Sequence, residues 1–240
     1  MGIKGKNVLI TGGTSGFGKA TAGLMLRQGA NVIITGRKED TLKQAVSEIG
    51  NVDSFCADAA KPSDWINLYE YIQTKYGTLD ILVNNAGSGI VIKELADQSL
   101  EEIHQCVETN LMGCIYGIHY FAPMLKEQGG GTIINVSSVC ARHSWPGYSV
   151  YAAAKAGVLS LSKSAYVELQ RDRVRVTCVI PGAGATNFQI NAQESPMAQS
   201  LDNLKAEDMA EAICNICALP DHVVVEEITV WGMSQVVSPL

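Results

Sequence analysis

The chain has few charged residues and no excess of basic ones. Only 18% of its 240 residues are charged, and the net charge is −6. It has no cluster of lysine and arginine, which nucleic-acid and acidic-membrane binding require. It also has no apolar run long enough to span a bilayer, and its first residues contain no apolar stretch of signal-peptide length. We therefore expect a cytoplasmic protein with neither nucleic acid nor membrane as a partner.

The cysteines show no framework of disulfide spacings. An odd number without such spacings is typical of a reducing compartment, and the seven are Cys56, Cys106, Cys114, Cys140, Cys178, Cys214 and Cys217. The last two form a C-x-x-C inside an amphipathic helical pattern. No second pair or histidine cluster completes a zinc site, and no strand-turn context suggests a redox motif. We predict core packing for this pair and no metal site.

Short β-branched segments alternate with longer helical patterns along the chain. The predicted strands are 7–11, 31–35, 52–57, 79–84, 132–137, 174–180 and 226–231, and the predicted helices are 16–28, 39–49, 62–76, 100–127, 150–171 and 206–218. Pro62 suits a first helical position, and Ser99 with Glu102 fits a capping box. The alternation predicts one α/β domain over 1–240, with a doubly wound, Rossmann-type, seven-stranded, mainly parallel sheet. Residues 182–203 lack clear periodicity, so we expect a mobile substrate lid at 187–203.

A glycine-rich turn, TGGTSGFG, follows the first predicted strand and leads into a helix. Glycines allow close backbone approach, and the N–H groups at a helix start favour a pyrophosphate. A purely structural turn is the alternative, but the position in a βαβ unit favours dinucleotide binding. The spacing is G-x-x-x-G-x-G rather than G-x-G-x-x-G. The predicted cofactor contacts here are Gly12, Thr14, Ser15, Gly16, Phe17 and Gly18.

The end of the second strand bears on the choice of cofactor. An acidic residue there would hold the ribose 2′-hydroxyl of NAD, but the chain reads ITGRKED. Gly36 leaves space, and Arg37 can pair with a 2′-phosphate. A solvated loop arginine is the alternative. The pattern favours NADP(H), with NAD(H) as the second choice.

A tyrosine stands four residues before a lysine in SVYAAAKAG. In a helix this spacing puts Tyr151 and Lys155 on one face, one turn apart. The alternative is a surface helix with a packed tyrosine and a solvated lysine. If the pair is functional, we expect the ammonium to favour the phenolate and so bring the pKa of the tyrosine toward neutrality.

Six short segments in order resemble the short-chain dehydrogenase/reductase family over nearly the whole chain. They are TGGTSGFG (11–18), NNAG (84–87), Asn110 in ETNLMG, NVSS (135–138), YAAAK (151–155) and PGAGAT (181–186). The resemblance implies a catalytic set of Asn110, Ser138, Tyr151 and Lys155. Within that set it gives Asn110 a water-anchoring role beside Lys155. It also implies a homotetramer or a homodimer.

The resemblance extends to further cofactor contacts. They are Asp58, Ala59, Asn85, Ala86, Gly87, Tyr151, Lys155, Pro181, Gly182 and Thr186. Two alternatives stay open, because Asp58 can be a helix-entry cap and Asn84 a sheet-stabilising amide. The chain departs from the family pattern at Ala141, where glycine is common, and at Phe17, where isoleucine is usual.

These residues together predict an enzyme that transfers hydride between a nicotinamide cofactor and a secondary alcohol or ketone. Tyr151 would be the general acid and base, and Ser138 would polarise the substrate oxygen. Adjacent strand residues face opposite sides, so Ser137 should not reach the substrate as well. One alternative is an NAD-linked dehydrogenase of a hydroxy acid, sugar alcohol or steroid, and a remote one is a non-catalytic nucleotide-sensing protein. The predicted substrate contacts are Ser138, Cys140, His143, Trp145, Tyr148 and Tyr151.

Overall fold

A seven-stranded sheet with helices on both faces forms the frame of the protein. The computed structural model describes residues 2–89, 91–143, 145–184 and 203–235. The strands are β1 (Asn7–Ile10), β2 (Asn31–Gly36), β3 (Asp53–Cys56), β4 (Ile81–Asn84), β5 (Gly131–Val136), β6 (Val174–Pro181) and β7 (Glu227–Val230). The helices are α1 (Gly16–Arg27), α2 (Glu39–Ile49), α3 (Pro62–Tyr76), α4 (Leu100–Val107), α5 (Gly113–Glu127), α6 (Ser149–Leu169) and α7 (Ala206–Cys217).

The strand order is β3-β2-β1-β4-β5-β6-β7, and every adjacent pair is parallel. The doubly wound fold predicted from the sequence is therefore confirmed. The order reverses at β1, whose two neighbours are β2 and β4. Ligands bind in such sheets outside the carboxyl ends of the strands, beside this switch point.

Side-chain alternation along the strands divides the core into two layers. Val8 and Ile10 of β1 pack in one buried cluster that also contains Met25 of α1 and Ile213 of α7. Leu9, between them, belongs to the cluster on the opposite face, which includes residues of α3, α5 and α6. Successive strand residues point to opposite faces, so a run that is apolar at every position can be buried on both sides.

Local signals set several helix ends. Pro62 occupies the start of α3, and Gly77 ends that helix in the left-handed conformation at φ 73°. Ser99 and Glu102 form the predicted capping box at α4. Each device satisfies or avoids a main-chain group that the helix itself leaves unpaired.

The predicted helix over 100–127 is not a single α-helix. A π-helical turn, Glu108–Met112, separates α4 from α5. Periodicity over such a length reports only the average helical repeat, so one wider turn leaves no visible trace in the sequence. The π-helical turn carries the buried Asn110. Wide turns of this kind often occur at functional sites.

The C-x-x-C cysteines lie in the hydrophobic core, as predicted. Cys214 and Cys217 are both buried in the layer that α7 forms over the sheet. Burial raises the pKa of each thiol to about 12, so both are protonated near neutral pH. In the described part of the chain, no helix is long and apolar enough to cross a membrane.

Candidate active site

A cavity of about 550 Å³ is bordered by the segments that follow the carboxyl ends of the six strands β1 to β6. Most of the residues named from the sequence line it. They are Gly12, Thr14, Ser15, Gly16, Phe17, Arg37, Asp58, Ala59, Asn85, Ala86, Gly87, Asn110, Ser138, Cys140, Trp145, Tyr148, Tyr151, Lys155, Pro181 and Gly182. One continuous cavity thus brings together residues predicted from the sequence that are up to 170 positions apart in the chain.

The glycine turn forms one end of this cavity. Gly12 has a φ of 65°, which favours glycine, and a Cβ there would stand 2.9 Å from the Cα of Ala86. The side-chain amide of Asn85 donates to the carbonyls of Thr11 (2.9 Å) and Gly12 (3.1 Å). The end of β4 therefore holds the glycine turn in place.

No described side chain caps the start of α1. Ser15, at its N-cap, makes no side-chain capping bond, and the first turn holds no acidic residue. Unpaired N–H groups at a helix start attract an anionic group such as a pyrophosphate. The residues present here suit the pyrophosphate of a dinucleotide.

The prediction that Gly18 touches the cofactor is not matched by its position. Gly18 is buried and does not line the cavity. A Cβ on Gly18 would stand 2.5 Å from the Gly12 carbonyl oxygen and 2.4 Å from the Asn85 amide nitrogen. The third glycine therefore allows α1 to pack closely against the turn.

The end of β2 borders the same part of the cavity. Gly36 is buried, and a Cβ there would meet the methyl carbon of Thr14 at 2.4 Å. The next residue, Arg37, is exposed and lines the cavity, so a cation stands beside this end. Asp58 also lines the cavity, while its carboxylate accepts a 3.1 Å hydrogen bond from the Ala60 N–H. Asp58 therefore lines the cavity and is not the helix-entry cap of the alternative, because the N-cap position of α3 is Lys61.

Tyr151, Lys155 and Ser138 meet at the other end of the cavity. Tyr151 and Lys155 lie one turn apart on α6, and both are almost fully buried. The Tyr151 hydroxyl is hydrogen-bonded to the Ser138 side chain. The Lys155 ammonium lies 5.7 Å from the centre of the Tyr151 ring. The alternative of a packed tyrosine with a solvated lysine is therefore wrong, because the lysine is buried beside the phenol.

The pKa of Tyr151 shifts in the direction opposite to the predicted one. Burial raises it above the ordinary value of 10.0. Burial also lowers the pKa of Lys155, because a desolvated ammonium is disfavoured. Desolvation of the buried phenol is the largest cause of the rise in the pKa of Tyr151, and the Ser138 side chain opposes it. The phenol is therefore protonated at neutral pH.

The two serines at the end of β5 differ in their partners. The Ser137 hydroxyl donates a 2.8 Å hydrogen bond to the Lys155 carbonyl and so fixes α6 against β5. Ser138 Oγ instead accepts a 3.2 Å hydrogen bond from the Cys140 N–H and contacts Tyr151. The Ser137 hydroxyl is thus engaged with the main chain of α6, but both serines border the cavity, so the expectation that Ser137 does not reach the substrate stays a prediction.

Asn110 is fully buried at the side of the cavity. Its Oδ1 accepts from the Ser88 N–H (3.2 Å), and its Nδ2 donates to the carbonyls of Ser88 (2.9 Å) and Cys106 (3.0 Å). A Cβ on Gly87 would lie 3.0 Å from Asn110 Oδ1 and 3.5 Å from Lys155 Nζ. The π-helical turn thus holds the 87–88 segment directly beside the lysine.

Asn84 joins a buried chain of polar contacts beneath the cavity. Its amide donates to Asn135 Oδ1 (2.8 Å), and Asn135 donates to the Ser162 hydroxyl (3.0 Å). These bonds connect β4, β5 and α6. The alternative of a sheet-stabilising amide for Asn84 is therefore supported.

Aromatic side chains surround the end of the cavity that holds Tyr151. Tyr148 stands edge-on to Tyr151 with ring centres 6.3 Å apart, and both Tyr148 and Trp145 line the cavity. His143 does not line it, contrary to the prediction that it contacts substrate. Its ring lies 6.0 Å from that of Trp145 and 5.6 Å from that of Trp231. His143 therefore packs against Trp145, which lines the cavity, without lining the cavity itself.

Some lining residues had not been named as site residues from the sequence. Most of them are sequence neighbours of residues that the motifs identified, whereas Gln235 lies in a segment without a motif. The set includes Thr35, Gly36, Ala57, Thr109, Val136, Val139, Gly184 and Gln235. The predicted contact Thr186 and the predicted lid, except its last residue, lie outside the described residues.

Comparison with known proteins agrees with this geometry. The family model for the short chain dehydrogenase matches residues 6–197. Sulfoacetaldehyde reductase 2 of Chromohalobacter salexigens is 33% identical over 238 residues, which cover 95% of this chain and 94% of that protein.

Solved structures of the same fold superimpose over almost the full length. Serine dehydrogenase in its closed form with NADP+ has a TM-score of 0.91 at 29% identity, covering 97% of each chain. The 3-ketoacyl-(acyl-carrier-protein) reductase of Brucella melitensis, complexed with NADH, has a TM-score of 0.86 at 31% identity, covering 95% of this chain and 98% of that one. By its sequence, its fold and the arrangement of its cavity, the chain belongs to the short-chain dehydrogenase/reductase family of oxidoreductases, which act on alcohol and carbonyl groups with a nicotinamide cofactor.

Proposed function

We propose that the protein reduces a ketone to a secondary alcohol, with Tyr151 as the proton donor and NADP(H) as the cofactor. One observation carries this proposal: the buried Tyr151 hydroxyl, hydrogen-bonded to Ser138, shares a cavity with the glycine turn. Hydride and proton must reach the same carbonyl group. A single cavity that holds both a dinucleotide cradle and a proton donor suits this chemistry.

Tyr151 acts as the general acid in this proposal. Because burial raises its pKa, it holds its proton throughout the neutral range and can release it to an oxygen that gains negative charge. Ser138 orients that oxygen and stabilises its developing charge. Lys155 holds its position through a 3.0 Å hydrogen bond to the Val136 carbonyl. In this proposal Asn110 positions the 87–88 segment beside Lys155.

The preference for NADP(H) rests on the end of β2. The bound cofactor supplies or accepts the hydride, and the start of α1 would hold its pyrophosphate. Gly36 makes room for the Thr14 methyl group at this edge of the cavity, and the exposed Arg37 guanidinium, which lines the cavity, suits a 2′-phosphate. NADP+ is bound in the serine dehydrogenase structure and NADH in the Brucella reductase structure, so family membership leaves both cofactors open.

The proposed substrate class is an uncharged, apolar or aromatic ketone. Near Tyr151 the described wall is formed by Val139, Cys140, Trp145 and Tyr148. Among the described lining residues, Lys155 is the cation at this end, and one of its three N–H groups donates to the Val136 carbonyl. The sequence of residues 185–202 contains no lysine, arginine or histidine. An anionic substrate would therefore find only this buried lysine as a cationic partner among the described lining residues at this end.

A matched substrate screen tests this function. Purified protein with NADPH should reduce acetophenone-type ketones faster than their para-carboxylate counterparts, as followed by the loss of absorbance at 340 nm. Sulfoacetaldehyde serves as a small anionic comparison. A parallel fluorescence titration measures NADPH binding. Binding without turnover of any carbonyl compound would contradict the proposal and favour the nucleotide-sensing alternative.

A further inference from the structure

Gln235 lies in a turn that follows the last strand of the sheet. Its N–H donates to the Gly232 carbonyl at 3.0 Å, and this closes residues 232–235, here called the C-terminal turn. Gln235 is half-buried, and its side chain borders the cavity beside Gly182 and Gly184. The C-terminal turn therefore reaches the catalytic cavity.

One half of the Gln235 amide is engaged with the main chain. Its Oε1 accepts a 2.8 Å hydrogen bond from the Ala183 N–H. A Cβ on Gly182 would lie 2.4 Å from the same oxygen and 3.1 Å from Trp231 Cε3. The Gly182 N–H donates to the Val230 carbonyl at 2.7 Å. Gly182 thus makes room for Gln235, and the amide holds the segment after β6 against the end of β7.

The C-terminal turn also contacts Asn203, the residue that directly follows residues 185–202. The Ser234 hydroxyl donates to Asn203 Oδ1 at 2.8 Å. Gly184 and Leu204 pair with each other through an isolated parallel bridge. Two neighbouring side chains, Ser234 and Gln235, therefore position the residues on either side of that stretch.

The other half of the Gln235 amide has a free donor. With Oε1 bound to Ala183, the Nε2 group has no hydrogen-bond partner among the described residues. The orientation of the amide is fixed, because Oε1 must be the acceptor for the Ala183 N–H. An uncharged N–H donor at a cavity wall matches an uncharged oxygen acceptor on a ligand.

We propose that Gln235 is a ligand-contacting and positioning residue of the active site. Its Oε1 positions residues 182–184, and its Nε2 donates to a neutral oxygen of the bound ligand. That oxygen belongs either to the nicotinamide amide or to the substrate. The inference rests on the proposed function, since it needs the cofactor and the ketone to occupy this cavity.

Two variants of similar size separate the two halves of the amide. Gln235→Glu keeps an oxygen that can accept from Ala183 but replaces the donor. Gln235→Met removes both. We expect at least a roughly tenfold loss of ligand affinity in Gln235→Glu, because an unfavourable contact between two acceptors replaces a hydrogen bond. Gln235→Met should lose about 3- to 10-fold and should also unfold at a lower temperature. Gln170→Glu, an exposed glutamine at the end of α6, is the matched control.

The kinetic parameters identify the ligand oxygen. A higher Kd for NADPH in the fluorescence titration assigns the contact to the nicotinamide amide. A higher KM for the ketone, with an unchanged Kd for NADPH, assigns it to the substrate. Wild-type values of Kd, KM and kcat in Gln235→Glu would overturn the inference. Wild-type protein that neither binds NADPH nor reduces a ketone would instead contradict the proposed function, and the two failures are therefore distinguishable.

Discussion

The Lys155 ammonium donates a 3.0 Å hydrogen bond to the main-chain carbonyl of Val136, the last residue of β5. This bond holds a buried cation where strand β5 ends and the next residues, Ser137 and Ser138, begin. The Ser137 hydroxyl donates back to the Lys155 carbonyl at 2.8 Å. The reciprocal pair fixes α6 against β5, so two hydrogen bonds outside the hydroxyl groups of Tyr151 and Ser138 hold these two residues near each other.

Tyr151→Phe should reduce turnover by about 10²- to 10⁴-fold, since it removes the proposed proton donor. The buried ring stays in place, so the Kd for NADPH should change little. NADPH-coupled ketone reduction and a fluorescence titration measure the two quantities. Tyr148→Phe, on the ring that stands edge-on to Tyr151, is the control. Full activity in Tyr151→Phe would refute the proposed acid.

Reduction and oxidation should differ in pH dependence. Burial raises the pKa of Tyr151 above 10.0, so the protonated phenol required for ketone reduction persists through neutral and mildly alkaline pH. Reduction should therefore be nearly constant there and fall only at strongly alkaline pH. Alcohol oxidation needs the phenolate and should increase with pH. Profiles of kcat/KM in both directions check this, and a reduction rate that increases from pH 7 to 10 would contradict it.

Lys155→Met should abolish most turnover without loss of stability at neutral pH. Burial lowers the pKa of this lysine from 10.5, so the unfolded chain binds its proton more tightly than the folded protein does. At pH values below the pKa that Lys155 has in the folded protein, the buried lysine therefore reduces the free energy of unfolding. This reduction disappears as the pH rises through that pKa toward 10.5. Chemical denaturation of both proteins at several pH values should show a stability advantage of the variant that shrinks with pH.

The control for this prediction is Lys163→Met on the same helix. Lys163 makes a partly exposed ion pair with Glu227 at 3.3 Å, and such a pair contributes about 0–1 kcal/mol. Its stability difference should be small and its turnover normal. A marked loss of stability in Lys155→Met at pH 7 would show that contacts of the ammonium outweigh its desolvation.

Arg37→Ala should weaken NADPH binding by about 10- to 100-fold, as expected for the loss of a charge-assisted hydrogen bond of about 1.5–3 kcal/mol. NADH binding should be nearly unchanged, because NADH has no 2′-phosphate. Titrations of both cofactors measure the ratio. Lys43→Ala, an exposed cation on α2 that pairs with Glu39, is the control. An equal loss for both cofactors would assign Arg37 a structural role.

Gly36→Ala should impair cofactor binding and stability, because the new methyl group would stand 2.4 Å from Thr14 Cγ2. Thr14→Ser removes that methyl carbon and should restore much of the loss in the double variant. The Kd for NADPH and the thermal midpoint of the four proteins form a double-mutant cycle. Additive effects would show that the two side chains do not compete for this space.

Much of the fold could be predicted because it depends on local patterns. In the described part of the chain, the β-branched segments and the helical periodicity located the seven strands of the sheet and six helical regions, with ends that differ by a few residues. The π-helical turn at Asn110 was missed, because one wider turn barely alters a periodicity averaged over 28 residues. The spacing of the motif identifies Gly12 as part of the glycine turn. The packing role of Gly18 could not be predicted in this way, because its contact with Asn85 exists only in the folded chain.

The sequence by itself determined the kind of fold and the identity of the Tyr151, Lys155 and Ser138 group, because the spacing of two residues on one helix and a motif at a strand end are local properties. The tertiary structure decided the ionisation of that group, since the pKa of Tyr151 depends on how completely the surrounding chain excludes water. It also decided that His143 packs against Trp145 without lining the cavity and that Gln235 reaches the cavity. Contacts between residues more than 50 positions apart form only when the sheet is assembled.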